Sequence, residues 1–558
     1  MGWRDRLRKT RLFNPTSVAA VIAATLVLGF SWFSLTNRRI DIEGRLAVAR
    51  QARQTAETLL QSHRDDDAEQ ACRQALKALD ELTEHASRDV RYRRERALVL
   101  DTLGLILVER QLPAEAIPFY NDAINVRAKL VSDLPSVAID RAPLALGLSQ
   151  LGQLYWDTGS WDEAERTLLR GVRLCESDFA RTDADSRLAR ERIQFLDRLG
   201  RLYADTRRPS DSMVYFKKAV AAQKSSTGAS ASAAGDRERL VTLLIRLAAA
   251  DRQQYAAEQT LAEALDVADR LRVDFPSNDH YNGLVAMVLD QLVELKKSDP
   301  PRRSEVRDLL GRVVAIRENL VVDLPHSPEE LTNLAATYDS LAGLCRDWKS
   351  LDEAEAVYRK ELACRARLAI EHPAVANYRF GHGRLLHNLA DLLRDRSRPE
   401  EALVLERQAV ELLRSLYHEN LKDPDRRRAF SYTCWALCEL LLETKDARGA
   451  ASAVSEYLAV EPSGYEEALE SARFLCRALV LARDDQSIPA AERAGLARSY
   501  AERAMNALQI AFRNGYRDGA DLKNALTYEP LRGRSDFQLL LHELDSRNEF
   551  PTKLPGKL

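Results

Sequence analysis

The stretch LSQLGQLYWDTGSWDEAERTLLRG at 148–171 decides the fold of this chain, because its spacing recurs. The pair Leu151-Gly152 has counterparts at Leu103-Gly104 and Leu199-Gly200, each 48 residues away. Apolar residues return at helical spacing after each pair, so each copy predicts two helices joined by a short turn. Such a unit buries its apolar face only against its neighbours, which favours stacked helical hairpins over a compact enzyme.

Small and large residues alternate in these copies as in the tetratricopeptide pattern W-x2-L-G-x2-Y-x8-A-x3-F-x2-A, in which small residues let two helices approach. The three clearest copies are Leu100, Leu103, Gly104, Leu107, Ala116, Tyr120, Ala123; Leu148, Leu151, Gly152, Tyr155, Ala164, Leu168, Gly171; and Leu196, Leu199, Gly200, Tyr203, Ser212, Phe216, Ala219. Weaker copies follow at 240–275, loosely at 284–320, and around Ala342, Ala390 and Cys438. The chain resembles tetratricopeptide repeat (TPR) proteins, which implies an all-α, TPR-like α-solenoid.

Four proline-containing segments mark the expected ends of long second helices. They read VSDLP before Ser136, VDFP before Ser277, VVDLP before His326 and IEHP before Ala374. Proline disfavours helix in the preceding residue and lacks the N–H that continues the hydrogen-bond ladder. We therefore expect each second helix to end at the acidic residue two positions before proline.

The amino-terminal region carries a run of 18 uncharged residues, Val18–Leu35, close to the roughly 20 that cross a bilayer. Basic residues dominate before the run, so the positive-inside rule assigns 1–14 to the cytoplasm and the repeats to the other side. A cleaved signal peptide is the alternative, but the run exceeds the usual length of about 7–15 residues and no A-x-A site follows. We predict one retained transmembrane helix at 15–37 in the cell inner membrane, so the lipid bilayer is an expected partner.

The predicted organisation assigns seven segments to the chain. They are a basic tail at 1–14, the transmembrane helix at 15–37, a juxtamembrane helical segment at 38–91, a first TPR-like block at 92–224, a flexible loop at 225–235, a second block at 236–470, and a C-terminal helical hairpin and cap at 471–558. The loop is inferred from SSTGASASAAG, which has no large apolar residue.

The charge balance argues against nucleic acid as a partner. The chain has 82 basic and 84 acidic residues, a formal net charge of −2, so no global field attracts a polyanion. The 7 cysteines are odd in number and lie in apolar helical stretches, which indicates buried thiols. Cys434 and Cys438 lack a nearby third ligand at metal-binding spacing, and we predict no metal and no cofactor.

The sequence offers no set of catalytic motifs. A protein kinase needs a glycine-rich loop, a V-A-I-K lysine and D-F-G together, and these are missing, as are G-x-S-x-G and H-E-x-x-H. The nearest glycine cluster, Gly381-His382-Gly383, is interpreted as a turn between helices. We therefore predict that the chain is not an enzyme.

Function is expected instead on the concave surface that the first helices of such hairpins share. The helical register assigns seven residues to it: Gln153, Trp156, Arg201, Asp205, Arg346, Asp391 and Arg394. Each of them also fits an ordinary solvated helix position. Together they predict a polar groove for an extended peptide or a partner helix.

The order of these features resembles the non-catalytic half of bacterial membrane-anchored serine/threonine protein kinases. The likeness rests on the basic tract ending in Phe13-Asn14-Pro15, the single span, the DLP-linked repeats, and a closing segment at 515–540. In that family the kinase precedes the span, whereas here only 14 residues do. The resemblance leaves two hypotheses: a membrane-anchored scaffold for a protein or peptide partner, or the sensor or regulatory half of a split kinase system.

Overall fold

The computed structural model describes residues 42–81, 89–134, 138–176, 184–227, 234–460 and 464–549. Within these ranges the chain forms α-helices joined by short turns, and no residue there lies in a β-strand. The chain divides into two compact units, Met1–Pro276 and Ser277–Leu558.

The first unit contains the helices α1 at 42–61, α2 Asp65–Asp80, α3 Val90–Glu109, α4 Pro113–Asp133, α5 Arg141–Asp157, α6 Trp161–Glu176, α7 Ala184–Asp205, α8 Pro209–Thr227, α9 Ala234–Ala250 and α10 Gln254–Asp274. The second contains α11 Asp279–Lys296, α12 Arg303–Asp323, α13 Pro328–Asp347, α14 Leu351–Glu371, α15 Ala376–Asp395, α16 Pro399–Glu419, α17 Pro424–Glu443, α18 Ala447–Ala459, α19 Glu466–Asp484, α20 Ala490–Arg513, α21 Gly519–Asn524 and α22 Ser535–Glu549. Short 3-10 helices lie at Ala138–Asp140, Pro300–Arg302 and Leu526–Leu531.

From α3 to α20 the helices pack as consecutive hairpins, α3 with α4, α5 with α6, and so on to α19 with α20. Within each unit, the second helix of a hairpin also contacts the first helix of the next hairpin. This nearest-neighbour order is the packing expected of a repeat protein. It confirms the predicted all-α, TPR-like solenoid for the described part of the chain, including the hairpin α11–α12, whose bounds the sequence left open.

The predicted spacing of small and large residues is visible in the first three full hairpins. In each, a glycine of the first helix faces a large side chain of the second helix, 16 residues later. A Cβ on these glycines would lie 2.8 Å from Tyr120 for Gly104, 2.7 Å from Leu168 for Gly152, and 2.6 Å from Phe216 for Gly200. The glycines therefore allow the two helices to approach, as the pattern predicts.

The proline-marked helix ends are also confirmed. The helices α4, α10, α12 and α14 end at Asp133, Asp274, Asp323 and Glu371, each two residues before proline. The residue after each has φ between −120° and −131° and ψ between 61° and 65°, outside the helical region. The clash of the proline ring with the preceding residue accounts for this geometry.

The structure differs from the predicted organisation at two boundaries. Residues 225–227 and 234–235, predicted as loop, lie in α8 and α9, because alanine-rich sequence readily extends a helix, and the rest of the predicted loop lies outside the described residues. The blocks at 92–224 and 236–470 also do not match the compact units, which divide after Pro276. The hairpin α9–α10 belongs to the first unit because α9 packs against α8.

The interpretation of Gly381-His382-Gly383 as a turn is wrong as well, because all three residues lie inside α15. The close neighbours explain the glycines. A Cβ on Gly381 would lie 2.6 Å from Arg365 Nη1, and one on Gly383 would lie 3.0 Å from Leu413. Helix packing rather than chain reversal therefore accounts for this cluster.

The predicted basic tail at 1–14 and transmembrane helix at 15–37 lie outside the described residues. None of the described helices is both long and apolar enough to cross a lipid bilayer. The juxtamembrane segment predicted at 38–91 includes α1 and α2, which bury Leu46, Ala49, Ala56, Ala75 and Leu79. The second of these helices begins at Asp65, at the acidic run 65–67.

The predicted C-terminal hairpin and cap correspond to α19, α20 and the segments after them. The core there extends into the 3-10 helix and α22 through Tyr528, Leu531 and Phe537, which are fully buried.

The cysteines match their prediction as well: all seven are free, and all but Cys175 are buried.

Candidate functional site

In the first unit, α5 and α7 bring Trp156 and Arg201 together. The guanidinium carbon of Arg201 lies 4.9 Å from the centre of the Trp156 ring. Such a cation–π contact contributes roughly 0.5–1 kcal/mol at an exposed site. Trp156 is only 9% exposed, so Arg201 presents the accessible surface of this pair.

The other two residues predicted in the first unit lie apart from this pair. The side-chain amide of Gln153 donates a hydrogen bond to Asp157 Oδ1 at 2.8 Å, within its own helix. Asp205 is exposed at the last residue of α7. The structure therefore gathers two of the four residues predicted on this face.

In the second unit, α13 and α15 bring all three predicted residues together. Arg346 pairs with Asp391 and also with Asp395, whose Oδ2 lies 3.1 Å from Nη2. Arg394 Nη2 lies 3.9 Å from Asp391 Oδ1. Burial opposes the charge of Arg346, but the two aspartates raise the pKa of its guanidinium above the ordinary value. These groups are partly exposed, so each pair contributes about 0–1 kcal/mol and can exchange partners with a ligand.

A buried carboxyl group lies beneath this cluster. Glu406 on α16 follows Ala390 by 16 residues, the position that Tyr120 and Phe216 occupy in earlier hairpins. His387 Nδ1 lies 2.8 Å from Glu406 Oε1, and the glutamate is fully buried. Burial raises the pKa of Glu406, and the nearby imidazole opposes the shift. The carboxyl group of Glu406 therefore lies in the core of this hairpin and contacts His387 of α15. We call the side of the hairpins that is formed by their first helices the first-helix face.

The same face continues onto α17 with two stacked aromatic rings. Tyr432 and Trp435 have ring centres 5.7 Å apart and planes 12° apart. The Tyr432 ring also meets the edge of His387 at 5.1 Å, and Tyr432 is 54% exposed. A cavity of about 400 Å³ opens beside them, with walls from α17, α18 and α19.

We call this cavity the aromatic pocket and define it by Arg427, Arg428, Tyr432, Trp435 and Tyr457. Neither arginine forms an ion pair with any described residue, whereas most arginines of the neighbouring helices do. Glu467 and Glu470 line the opposite wall. Unpaired guanidinium groups beside an exposed aromatic ring are available to a partner.

The sequence-based prediction missed the aromatic pocket because it considered only residues that follow the small residue of each first helix, which is the glycine or alanine of the repeat pattern. Trp435 and Tyr432 lie three and six residues before Cys438, which stands at that small position. Residues at these offsets share one helix face, since three or four residues complete a turn. The helical period alone could therefore have found them.

The described residues include no group of three or more His, Cys, Asp or Glu side chains arranged to hold a metal ion. The two cysteines of α17, Cys434 and Cys438, are buried, and burial raises the pKa of both thiols. The chemistry available on this face is therefore hydrogen bonding, ion pairing and aromatic stacking.

Comparison with known families gives one match, the tetratricopeptide repeat, over residues 383–420. This stretch covers most of α15 and α16, and it contains His387, Asp391, Arg394 and Glu406. No curated protein matches the sequence.

The chain also matches solved structures, including these three. A tetratricopeptide repeat protein from Parabacteroides merdae is 13% identical, with 61% of this chain and 98% of that chain covered and a TM-score of 0.27. Aspartyl phosphate phosphatase F from Bacillus subtilis is 13% identical, with coverage of 74% and 94% and a TM-score of 0.35. A signal transduction ATPase with a tetratricopeptide repeat sensor from Pyrococcus horikoshii is 10% identical, with coverage of 79% and 55% and a TM-score of 0.35.

Similarity at this level does not identify what the chain does or what it binds. The family match at 383–420 and the repeated hairpins agree with each other. The described part of the chain is an all-α solenoid of TPR-like hairpins.

Proposed function

We propose that this chain is a scaffold that binds a protein or peptide partner through the first-helix face of its hairpins, with the aromatic pocket as the primary contact. One observation carries the proposal: Tyr432, stacked on Trp435, is exposed beside Arg427 and Arg428, which form no ion pair with a described residue. Tyrosine, tryptophan and arginine are the residues that dominate binding energy in protein interfaces. The cluster of Arg346, Asp391 and Arg394 extends the proposed contact surface along the same face.

The test is site-specific photo-crosslinking in cells that express the full chain. We expect a benzoylphenylalanine at position 432 to give a saturable crosslink to a distinct protein, and Arg428→Glu to weaken that crosslink. The same crosslinker at Ile370 is the matched control, because Ile370 is 78% exposed in the same unit and lies outside the pocket. Equal labelling from both positions, or labelling that never saturates, would contradict the proposal.

We also propose that the scaffold is tethered to the inner membrane by a helix at 15–37, with the hairpins on the non-cytoplasmic side. The support is the uncharged run Val18–Leu35 and the basic residues before it. Protease added outside spheroplasts should digest the hairpins of the full chain. Protection of the hairpins there, with digestion only after lysis, would overturn the proposed orientation.

The sensor half of a split kinase system is the second form of the proposal, and its support is the sequence resemblance alone. It predicts that a kinase co-purifies with the full chain and is lost when residues 1–14 are replaced. The scaffold proposal involves no catalytic step, so nucleotide turnover by the purified chain would contradict it.

A further inference from the structure

A second cavity, in the first unit, has a buried ion pair at its base. Arg127 on α4 is 4% exposed, and its Nη2 pairs with Asp101 Oδ2 on α3. Two further atoms of the pair, Arg127 Nη1 and Asp101 Oδ1, are buried and have no hydrogen-bond partner among the described residues. Buried polar groups are nearly always paired, so an unpaired donor and acceptor side by side require an explanation.

The second unit contains the same pair in a completed form. Asp290 precedes Arg317 by 27 residues, as Asp101 precedes Arg127 by 26. Arg317 Nη2 donates to Asp290 Oδ2 at 2.5 Å, and its Nη1 donates to the hydroxyl of Thr337, 20 residues later. A side chain of the next hairpin therefore satisfies the guanidinium there.

In the first unit the residue 20 positions after Arg127 is Gly147, which has no hydroxyl to offer. A Cβ on Gly147 would lie 3.6 Å from Arg127 Nη1 and 3.3 Å from Ile124 Cγ1, so a serine or threonine there would bring its oxygen within reach of Arg127 once the Ile124 side chain shifts slightly. The absence of a side chain at Gly147 is thus the difference between the two pairs.

The cavity over this pair has a volume of about 460 Å³, and we call it the Arg127 pocket. Its walls come from α3, α4, α5 and α7, on the first-helix side of three successive hairpins. Leu98 and Leu146 form an apolar rim, 40% and 49% exposed. Arg187, Arg190 and Glu191 of α7 also line it, and Glu191 has a buried Oε2 with no hydrogen-bond partner among the described residues. Burial raises the pKa of Asp101 and of Glu191.

These groups select the chemistry of a ligand. A carboxylate could accept from Arg127 but has no hydrogen to donate to Asp101 Oδ1 or Glu191 Oε2, and an ammonium group could donate to these oxygens but could not accept from Arg127. A trans peptide group points its C=O and N–H in opposite directions, so it cannot serve both sides at once. A primary carboxamide carries an acceptor oxygen and two N–H donors on one carbon and can satisfy all three groups.

We propose that the Arg127 pocket binds the side-chain carboxamide of a glutamine or asparagine in the partner's peptide. The oxygen accepts from Arg127 Nη1, and the amide N–H groups donate to Asp101 and Glu191. The apolar rim packs on the methylene groups of the same side chain. This inference rests on the proposed function, because it assigns a residue preference to the peptide that the scaffold holds.

The experiment measures binding of the purified full chain to immobilised nonapeptide pools by biolayer interferometry. The pools share randomised flanks without Asn or Gln and carry a fixed central Gln, Glu, Lys or Met. We expect the Gln pool to bind roughly tenfold more tightly than the others, the factor that one or two hydrogen bonds to charged groups supply. Gly147→Ser and Gly147→Thr should abolish that preference, because the new hydroxyl takes the place of the ligand oxygen.

Gly311→Ser is the matched control, since nothing lies within 4 Å of a Cβ on Gly311 in α12. It should leave the preference unchanged. Circular dichroism checks that the Gly147 variants fold. Equal binding of all pools, tighter binding of the Glu pool, or a preference that survives Gly147→Thr would each overturn the inference.

The crosslink at position 432 reports the proposed function separately. A saturable crosslink without any Gln preference overturns the Arg127 pocket alone. A Gln preference without a crosslinked partner supports the pocket and contradicts the aromatic pocket as the primary contact.

Discussion

Phe216 fills the space above Gly200, where a Cβ would lie 2.6 Å from the ring. We expect Gly200→Ala to lower the free energy of unfolding by about 1–3 kcal/mol, because overpacking outweighs the roughly 1 kcal/mol that alanine gains over glycine in a helix. Urea unfolding measures the change. Gly311→Ala, at the open position in α12, should instead raise stability by about 0.5–1 kcal/mol. If both variants changed the free energy of unfolding in the same direction, the close approach of Phe216 would not explain why position 200 is glycine.

Glu361 on α14 is a second residue whose environment makes a measurable prediction. Burial raises its pKa to about 7, and the nearby Arg365 opposes the shift. The unfolded chain titrates near the ordinary value of about 4.3, so it releases its proton first as the pH rises. Stability from this group is therefore present below about pH 4.3 and is lost as the pH rises towards 7.

The variant Glu361→Gln removes this titration while keeping the shape of the side chain. We expect the two proteins to have similar stability near pH 5 and the variant to be more stable at pH 8, by on the order of 3 kcal/mol. Urea midpoints between pH 5 and pH 8 give the comparison. A difference that does not change with pH would mean that Glu361 is ionised in the folded chain throughout.

At the scale of the helix, the start of α17 determines how the aromatic pocket is held. Asp423 precedes the helix, and its Oδ1 accepts from the backbone N–H of Asp425 at 3.0 Å and of Arg426 at 3.2 Å. Asp423→Ala should lower stability by about 1 kcal/mol, the usual effect of losing such a cap. Gln253 precedes α10 without a capping hydrogen bond from its side chain, so Gln253→Ala serves as the control. Thermal unfolding should separate the two variants.

The hairpins could be predicted because the information lies within one period of the sequence. Gly152 and Leu168 meet within one hairpin, and the residue before a proline leaves the helix for local steric reasons. Gly381 and Gly383 were assigned wrongly because glycine also serves where another side chain crosses closely, which a single helix does not reveal. The low exposure of Trp156 beneath Arg201 could not be predicted in this way, because the two residues belong to different hairpins.

The candidate binding surfaces were harder to predict for the same reason. The cavity over the Arg127 pair is formed by residues from four helices, so its position depends on how those helices pack. The role of Gly147 becomes clear only when it is compared with Thr337, which takes the corresponding place in the second unit. Three of the seven predicted groove residues, Arg346, Asp391 and Arg394, meet between α13 and α15, and their contact with a partner stays a prediction. The seven residues omitted the preceding turns, where both pockets lie.

At the scale of the whole molecule, the chain must protect the end of its last hairpin, because each repeat covers only its neighbours. In the second unit, α19 and α20 are covered by the segments that follow them, and one core cluster runs from Val410 to Leu544. Tyr528 lies in this cluster with no exposed surface. The C-terminal segment therefore acts as a cap, built from side chains rather than from a full hairpin.

Removal of the Tyr528 ring tests this capping role. Tyr528→Ala should lower the stability of the second unit by about 3–5 kcal/mol, the range for truncating a large buried side chain, whereas Tyr528→Phe keeps the ring and should change it by less than about 1.5 kcal/mol. Hydrogen exchange followed by peptide resolves where protection is lost. We expect faster exchange in α19, α20 and α22, which share the Tyr528 cluster, and unchanged exchange in α5 to α8, which belong to the first unit. Equal loss of protection in both units would show that the chain unfolds as one cooperative body, and loss confined to 519–549 would show that the last hairpin needs no cap.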